Sequence, residues 1–278
     1  MKKINRRSFL AAAGLTAAAL ALTACGGSAS STASSTASSA ASSEAASTSA
    51  AAELTTVEAG KLTMATNAAF PPYEMTTDAG EFEGIDIDTA KAIAEKLGLE
   101  LQIDDMDFDA ALLSVQQGKA DIVMAGVTVT DERKAVMDFS DSYATGIQSI
   151  IVPEDSDITS PDDLAGKKIG TQRGTTGYIY CSDDFGDDAV VAYDDGLTAV
   201  QALKNGQVDA VVIDNAPAKE YVAANPGLVI LDTSYAEEDY AIGLAKGSAL
   251  EDAVNAALEE LKADGTLQSI VDKYITAE

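Results

Sequence analysis

The chain of 278 residues carries 45 acidic and 18 basic side chains, which gives a formal net charge of −27 at pH 7. So negative a surface argues against nucleic acid or anionic lipid as a partner. The sequence has no histidine, the commonest general base and metal ligand, and its two cysteines are Cys25 and Cys181. We therefore expect no metal, no cofactor and no disulfide within the folded body that follows the N-terminal segments.

Residues 1–24 have the three parts of a secretory signal peptide: a basic start, an Ala-rich apolar run and a small-residue end. The motif LTAC at 22–25 resembles the lipobox of bacterial lipoproteins, in which the cysteine, here Cys25, is lipidated. Residues 25–54 are almost entirely Ser, Ala, Thr and Gly, so they predict a disordered tether. These segments predict an extracytoplasmic, lipid-anchored protein. An ordinary signal peptide is the alternative, and NRRSFL also resembles a twin-arginine export signal.

In the body, short apolar runs alternate with segments of helical period. Strands are predicted at 61–66, 99–103, 120–125, 167–172, 189–193 and 208–213. Helices are predicted at 87–98, at 107–118, from about residue 176, at 196–206 and over the whole of 248–275. This alternation predicts parallel sheets that are covered by helices on both faces.

Two stretches of the body resemble each other. GKADIVMAG begins at Gly118 and GQVDAVVID begins at Gly206, and each ends a predicted helix before an Asp and an apolar strand. Gly126 and Asp214 stand at equivalent positions after these strands. The repeat favours two similar α/β lobes over one large sheet, although a chance match of a common glycine turn stays open.

Polar and aromatic side chains follow the predicted strands, where ligands bind in open α/β sheets. The residues concerned are Asn67, Phe70, Gly126, Thr128, Arg133, Thr175, Thr176 and Asp214. Together they offer a guanidinium for a carboxylate, a carboxylate for an ammonium, hydroxyl groups and an aromatic wall. That set complements a free α-amino acid.

Each of these residues also has a purely structural interpretation. Thr130, Asp214 and one of the threonines at 175–176 could cap helices. Arg133 could pair with Asp138, and Phe70 could lie in the core. The acidic clusters at 104–109 and 183–188 do not have the spacing of a calcium loop, so we interpret them as solvated loops and keep only Phe108 for the site.

Two motifs carry a family resemblance. GIDIDTAKAIAEKL at 84–97, with Thr89 in place of the usual apolar residue, and AGVTVTDERK followed by MDFSDSY resemble the extracytoplasmic solute-binding proteins for polar amino acids, which serve ABC importers. The resemblance covers nearly all of 60–278. It implies an α/β fold of two Rossmann-like lobes joined by two crossover strands, which is the type II periplasmic-binding-protein fold. Lobe 1 would be 55–147 plus 238–278 and lobe 2 would be 148–237, with crossovers near 146–152 and 234–242 and hinge closure on the ligand.

The resemblance also implies roles for single residues. The Gly126 carbonyl, Thr128 and Arg133 would hold the ammonium and carboxylate ends of the ligand, and Asp214 would bind the ammonium. Gln172, Thr175 and Thr176 would face the ligand from lobe 2, while Phe70 and Phe108 would enclose its side chain. Specificity would depend on Asn67, Gln172 and Ile213.

The function implied is binding of a free polar amino acid and its delivery to an ABC permease, by a monomer that is not an enzyme. Two alternatives stay open. The first is a periplasmic dehydratase that acts on cyclic precursors of aromatic amino acids, for which this histidine-free chain would have only carboxylates as acid–base groups. The second is a lobe pair that presents its ligand to a separate sensor.

Overall fold

The structure is a computed structural model, and it describes residues 54–275. The predicted signal peptide, Cys25 and all but the end of the tether lie outside the described residues. Within 54–275, no helix has both the length and the apolar character needed to cross a membrane.

The described residues form α-helices and short β-strands in alternation. The strands are β1 (Lys61–Thr66), β2 (Ala69–Phe70), β3 (Glu74–Thr76), β4 (Phe82–Glu83), β5 (Glu100–Asp105), β6 (Ile122–Val123), β7 (Met137–Phe139), β8 (Ala144–Pro153), β9 (Ile169–Gln172), β10 (Val190–Tyr193), β11 (Ala210–Asp214), β12 (Leu228–Ile230), β13 (Ala236–Tyr240) and β14 (Gly243–Ala245). The helices are α1 (Ile85–Leu97), α2 (Phe108–Gln116), α3 (Asp131–Lys134), α4 (Thr176–Phe185), α5 (Gly196–Lys204), α6 (Asn215–Ala224), α7 (Glu251–Ala263) and α8 (Thr266–Tyr274). Short 3-10 turns cover Pro161–Leu164 and Asp187–Ala189.

These strands form two main sheets and one small one. The first sheet has the order β5-β1-β6-β14-β7, and the second has the order β10-β9-β11-β8-β12, with β13 also paired to β8. The small sheet is β2-β3-β4. Both main sheets have apolar clusters on two faces: in β1, for example, Leu62 and Met64 pack into one cluster and Ala65 into another. Coverage on both faces was therefore predicted correctly.

The prediction of purely parallel sheets is wrong. Parallel pairing holds where a helix joins the strands, as between β1 and β5 or between β9 and β10. However, β14 is antiparallel to β6 and β7, and β8 is antiparallel to β11, β12 and β13. The reason is the connection: β8 and β14 arrive directly from the other sheet, without the crossover helix that parallel pairing requires.

The chain passes between the two sheets twice. It leaves the first sheet after Phe139 and enters the second with β8, and it returns between Tyr240 and Gly243. The two connecting strands, β8 and β13, pair with each other from Ala144↔Tyr240 to Gln148↔Ala236. The result is two α/β bodies joined by a pair of adjacent strands.

Helix α1 packs closely against the chain before β3, and Gly84 makes this possible. A Cβ on Gly84 would collide with the carbonyl oxygen of Tyr73. That carbonyl instead accepts a hydrogen bond from the backbone N–H of Asp86 at 2.9 Å. Since Glu74 directly follows Tyr73, the contact brings Glu74 and Asp86 together at the start of α1.

Two predicted elements are shorter than expected. The single helical segment at 248–275 is two helices, because the chain breaks at Gly265, whose φ is +81°, and Asp264 accepts a hydrogen bond from Thr266 N at 2.9 Å. The strand at 120–125 pairs only over Ile122–Val123. Just before this strand, the backbone N–H of Asp121 donates to the carbonyl of Thr63 at 2.9 Å, and its carboxylate accepts from the backbone N–H groups of Val57 and Thr63.

Candidate functional site

A cavity lies between the two main sheets, at the carboxyl ends of their parallel strands. The structure brings all ten sequence-predicted site residues to its wall: Asn67, Phe70, Phe108, Gly126, Thr128, Arg133, Gln172, Thr175, Thr176 and Asp214. Ile213, which was predicted to set specificity together with Asn67 and Gln172, also lines it. Glu74, Ala125, Gln148 and Tyr240 complete the lining and were not predicted. Whether these residues bind a ligand stays a prediction.

Arg133 is a buried cation at one end of the cavity, with 8% of its surface exposed. Its Nη1 donates to the carbonyl of Thr128 at 2.8 Å, and its Nη2 donates to the carbonyl of Gly174 at 3.2 Å. The guanidinium also lies 5.3 Å from the centre of the Phe108 ring. A guanidinium has five N–H donors, so donors remain for an anion in the cavity. Burial lowers the pKa of the Arg133 guanidinium below its usual value.

Hydrogen bonds and ion pairs around α3 decide between the structural and the functional interpretations of Thr130 and Arg133. Thr130 caps α3, because its hydroxyl accepts from the backbone N–H of Arg133 at 3.1 Å. Asp138 is paired with Lys246 at 2.6 Å, so the suggested pair between Arg133 and Asp138 is wrong. Arg133 turns instead toward the cavity and toward backbone carbonyls.

Asp214 is a buried carboxylate at the end of β11, with 2% of its surface exposed. One oxygen accepts from the N–H of Ala216 at 3.0 Å, so the helix-cap interpretation was right. The other oxygen accepts from the N–H of Ile147 and from the hydroxyl of Tyr240, both at 2.8 Å. Burial raises the pKa of Asp214 to about 6, and these hydrogen bonds act against that rise. Asp214 is thus both a cap and a wall of the cavity.

Hydrogen bonds join the two bodies across the cavity. The side chain of Gln172 donates to Asn67 Oδ1 at 2.8 Å, and the hydroxyl of Tyr221 donates to the carbonyl of Ala69 at 2.7 Å. The bond from Arg133 to Gly174, described above, crosses the same gap. Polar groups that face the cavity therefore also hold its two sides together.

The threonines of the second body start α4. Thr175 caps the helix, since its hydroxyl accepts from Tyr178 N at 3.3 Å and donates to the carbonyl of Gln172 at 2.8 Å. Thr176 is the first residue of α4 and is buried. One of the two threonines is therefore a cap, as the structural interpretation proposed.

Aromatic rings form the apolar part of the wall. Phe70 stacks on Tyr73, with ring centres 5.9 Å apart, and packs against core clusters of both bodies. A Cβ on Gly126 would come within 2.9 Å of the Phe70 ring, so glycine is required there for close approach. Phe70 thus belongs to the core and to the cavity, whereas Phe108 lies under Arg133.

Glu74 is the main residue that sequence reasoning missed. It is fully buried, and neither carboxylate oxygen receives a hydrogen bond from an N–H or O–H group of the described residues. Its polar neighbour is Asp86, which accepts from Gly126 N at 2.9 Å and from the Tyr143 hydroxyl at 2.7 Å. Burial raises the pKa of both acids, that of Asp86 to about 6 and that of Glu74 well above 4.5. A lone Glu after two prolines gave no periodic signal that could have identified it.

Glu238 is a second buried carboxylate close to the cavity. It lies on the connecting strand β13, and its Oε2 accepts from Thr128 Oγ1 and from Gln148 Nε2, both at 3.0 Å. It thereby fixes two side chains of the wall. Glu238 stands between two exposed acids, Glu237 and Asp239, so sequence alone could not separate it from its neighbours.

Comparison with known proteins gives consistent matches. The family model of bacterial extracellular solute-binding proteins, family 3, matches residues 62–277. The probable histidine-binding protein of Neisseria gonorrhoeae is 32% identical over 99% of this chain and 98% of the relative. The L-cystine-binding protein TcyJ of Escherichia coli K12 is 32% identical over 80% of this chain and 85% of the relative.

Solved structures of amino-acid-binding proteins are similar to this chain as well. The arginine-, lysine-, histidine-binding protein ArtJ of Geobacillus stearothermophilus is 34% identical, covers 78% of this chain and 96% of its own, and superposes with a TM-score of 0.75. The predicted type II fold is therefore confirmed, and members of this family bind solutes outside the cytoplasm rather than act as enzymes. The chain belongs to the bacterial extracellular solute-binding proteins of family 3.

Proposed function

We propose that this protein binds a free α-amino acid in the cavity and delivers it to an ABC importer. One observation carries the proposal: a buried guanidinium, Arg133, and a buried carboxylate, Asp214, line the same cavity. The charges of a zwitterion match these two groups, because a guanidinium binds a carboxylate and a carboxylate binds an ammonium. The amino-acid-binding relatives support this reading.

The other lining residues take the roles that the resemblance implies. Gly126, Thr128, Thr175 and Thr176 complete the end that holds the ammonium and the carboxylate. Phe70 and Phe108 contact the side chain, and Asn67, Gln172 and Ile213 select it. Lobe 1 (55–147 plus 238–278) and lobe 2 (148–237) close on the ligand about β8 and β13.

A cationic side chain suits this cavity best. Its wall carries two acids, Glu74 and Asp214, and the cation Arg133. The ammonium and carboxylate of the zwitterion pair with Asp214 and Arg133, so a positive side chain is left to pair with Glu74 once that acid gives up its proton. The face of Phe70 attracts a cation as well. Two of the relatives named above bind histidine, or arginine, lysine and histidine, by their names, while TcyJ binds the neutral cystine.

A thermal-shift screen of the twenty amino acids and cystine tests the proposal. A ligand at about 100 times its Kd raises stability by about 2.7 kcal/mol, which is easily measured. We expect the largest shifts with arginine, lysine and histidine. Shifts with neutral amino acids alone would contradict the choice of side chain, and the lack of any shift would contradict amino acid binding itself.

The ligand leaves the protein chemically unchanged. This part of the proposal makes the chain a non-enzymatic receptor, and the dehydratase and sensor alternatives have no observation in their favour. The buried acids accept structural hydrogen bonds, as Asp86 does from Tyr143 and Asp214 does from Tyr240. Proton NMR of the ligand recovered after long incubation should show the starting compound only, and any product would contradict the proposal.

The protein is anchored as a monomer on the outer side of the cell membrane. The support is in the sequence: the signal peptide at 1–24, the lipobox with Cys25, and the tether at 25–54. Cys25→Ser should move the protein from the detergent phase to the aqueous phase in detergent partitioning and leave the ligand affinity unchanged. Unchanged partitioning would contradict lipidation.

A further inference from the structure

Glu74 is the one lining carboxyl group that the described protein does not hold with any N–H or O–H donor. It lies on β3 opposite Phe70 on β2, in the antiparallel register Phe70↔Glu74. Directly opposed residues of an antiparallel pair point to the same side of the sheet. A ligand side chain against the Phe70 ring therefore also lies beside the Glu74 carboxyl.

The groups that act on Glu74 come from several elements, and they are acids and phenols. They are Asp86 on α1, Asp105 at the end of β5, Asp214 at the end of β11, and the hydroxyls of Tyr73, Tyr143 and Tyr221. Nearby negative charge and burial both disfavour an ionised carboxylate, so the pKa of Glu74 rises well above 4.5.

Glu74 and Asp86 are neighbouring buried acids, and like charges so close together in a buried site disfavour ionisation of both. Two carboxylates are both acceptors, so they form a hydrogen bond only when one of them is protonated. Asp86 already accepts from Gly126 N and from the Tyr143 hydroxyl, and both bonds favour its ionised form. The proton of the pair therefore resides on Glu74, although the two acids titrate as a coupled unit.

We propose that Glu74 is a proton-dependent specificity residue: it holds a proton unless the ligand places a positive charge beside it, and a cationic ligand expels that proton. This inference rests on the proposed function. In the step, the O–H bond of Glu74 breaks, the proton goes to solvent, and the carboxylate pairs with the cationic side chain. A neutral side chain leaves the proton in place.

The consequence is a selectivity that changes with pH. When binding releases one proton, affinity rises by up to about tenfold per pH unit. Affinity for a cationic amino acid should therefore increase with pH relative to a neutral amino acid of the same shape. L-Arginine and L-citrulline form such a pair, because a neutral ureido group replaces the guanidinium.

Isothermal titration calorimetry of the mature protein with both ligands tests this between pH 6 and 8. In wild type, the ratio of arginine to citrulline affinity should rise about threefold or more per pH unit. Titrations in two buffers of different ionisation enthalpy should show that arginine releases about one proton more than citrulline does, because any proton that Asp214 releases is common to both ligands. Asp214 faces the ammonium of both ligands, so its titration cancels in the ratio.

Glu74→Gln should abolish both effects, giving a flat ratio and the same proton release with arginine as with citrulline. Glu81→Gln, which removes an exposed carboxylate from the nearby loop, should behave as wild type. The wild-type proton count needs no variant, so the proposal remains testable even if Glu74→Gln does not fold.

Three results would overturn the inference. The first is arginine binding to wild type with a flat ratio and no more proton release than citrulline gives, and the second is an unchanged excess of proton release with arginine in Glu74→Gln. In either case amino acid binding itself stands. The third is failure of both ligands to bind; the thermal-shift screen then tells whether another amino acid binds, or whether the proposed function fails as well.

Discussion

Within the described residues, each of the two bodies has one arginine and each half of the cavity wall has one acid, and the two halves treat these groups in opposite ways. In the first half, Arg133 is buried and held by two carbonyls, whereas Glu74 is buried without a donor. In the second half, Asp214 is held by three donors, whereas the side chain of Arg173 is 52% exposed and pairs with Asp194 at 3.2 Å. Each half thus offers one charge that the protein fixes in place.

This difference shows that burial alone does not make a binding group. A buried charge keeps its ionised form only when hydrogen bonds replace the lost water. Arg133 and Asp214 meet this condition, so they are preorganised for the fixed charges of a zwitterion. Glu74 does not meet it, so its charge depends on what lies next to it.

The strongest test compares the two arginines. Arg133→Ala removes a desolvated contact with the ligand carboxylate and should weaken amino acid binding by about 2–5 kcal/mol. Arg173→Ala removes an exposed charge and should cost less than about 1 kcal/mol. Calorimetry of both variants with the best ligand of the screen gives the two values. A larger loss of affinity in Arg173→Ala than in Arg133→Ala would show that the ligand carboxylate has been assigned to the wrong arginine.

The second test changes the fixed acid. Asp214→Asn removes the charge that faces the ammonium and should weaken binding by about 1.5–3 kcal/mol. It should also reduce the compaction that saturating ligand causes in small-angle scattering, because the ligand then no longer bridges the two lobes with full strength. Asp195→Asn is the matched control, since Asp195 caps α5 in the same way. A variant that closes as fully as wild type would limit Asp214 to its capping role.

The third test uses pH. The pKa of Asp214 is raised to about 6, so its carboxylate is present above that pH and is lost as the pH falls through it. Affinity for a neutral amino acid should therefore fall about tenfold between pH 7.5 and pH 5. Calorimetry with citrulline at both pH values measures this, and equal affinity would mean that the ammonium is bound without Asp214.

The smallest expected effect concerns folding stability. In the folded protein the pKa of Glu74 is above its unfolded value of 4.5, so folding takes up a proton at neutral pH and stability falls as the pH rises. The variant Glu74→Gln has no carboxyl group at this position, so its folding takes up no proton there. The free energy of unfolding of this variant should equal that of wild type at pH 4 and exceed it at pH 8 by about 1 kcal/mol or more. Each kcal/mol corresponds to about 2–4 °C in Tm. Calorimetric melting with Glu81→Gln as control measures it, and a constant difference across pH would contradict the protonated state.

Much of the cavity could be predicted because its residues follow strands. Asn67, Gly126 and Asp214 come directly after apolar runs, and the ends of parallel strands share one edge of a sheet. The family, the fold and amino acid binding were predicted from motifs and are confirmed at that level. The lobe boundaries and the roles of single residues remain predictions.

The residues that were missed depend on pairing that no local pattern encodes. Glu74 belongs to a strand of three residues, and Gln148 and Tyr240 belong to the connecting strands. Which side of such a strand faces the cavity depends on its register with a partner far along the chain. The antiparallel direction of β8 and β14 was missed for the same reason.

Gly146 on β8 offers a way to change the ligand affinity of this protein if it is used as a biosensor for amino acids. The Tyr240 ring lies directly over it, and a Cβ at this position would stand 2.5 Å from Tyr240 Cζ. Because the Tyr240 hydroxyl holds Asp214, a single methyl group at Gly146 would push the ring away and loosen the acid without substituting any residue of the cavity wall. Gly146→Ala would thus lower the affinity of such a sensor from a position outside the wall, while every lining residue keeps its identity.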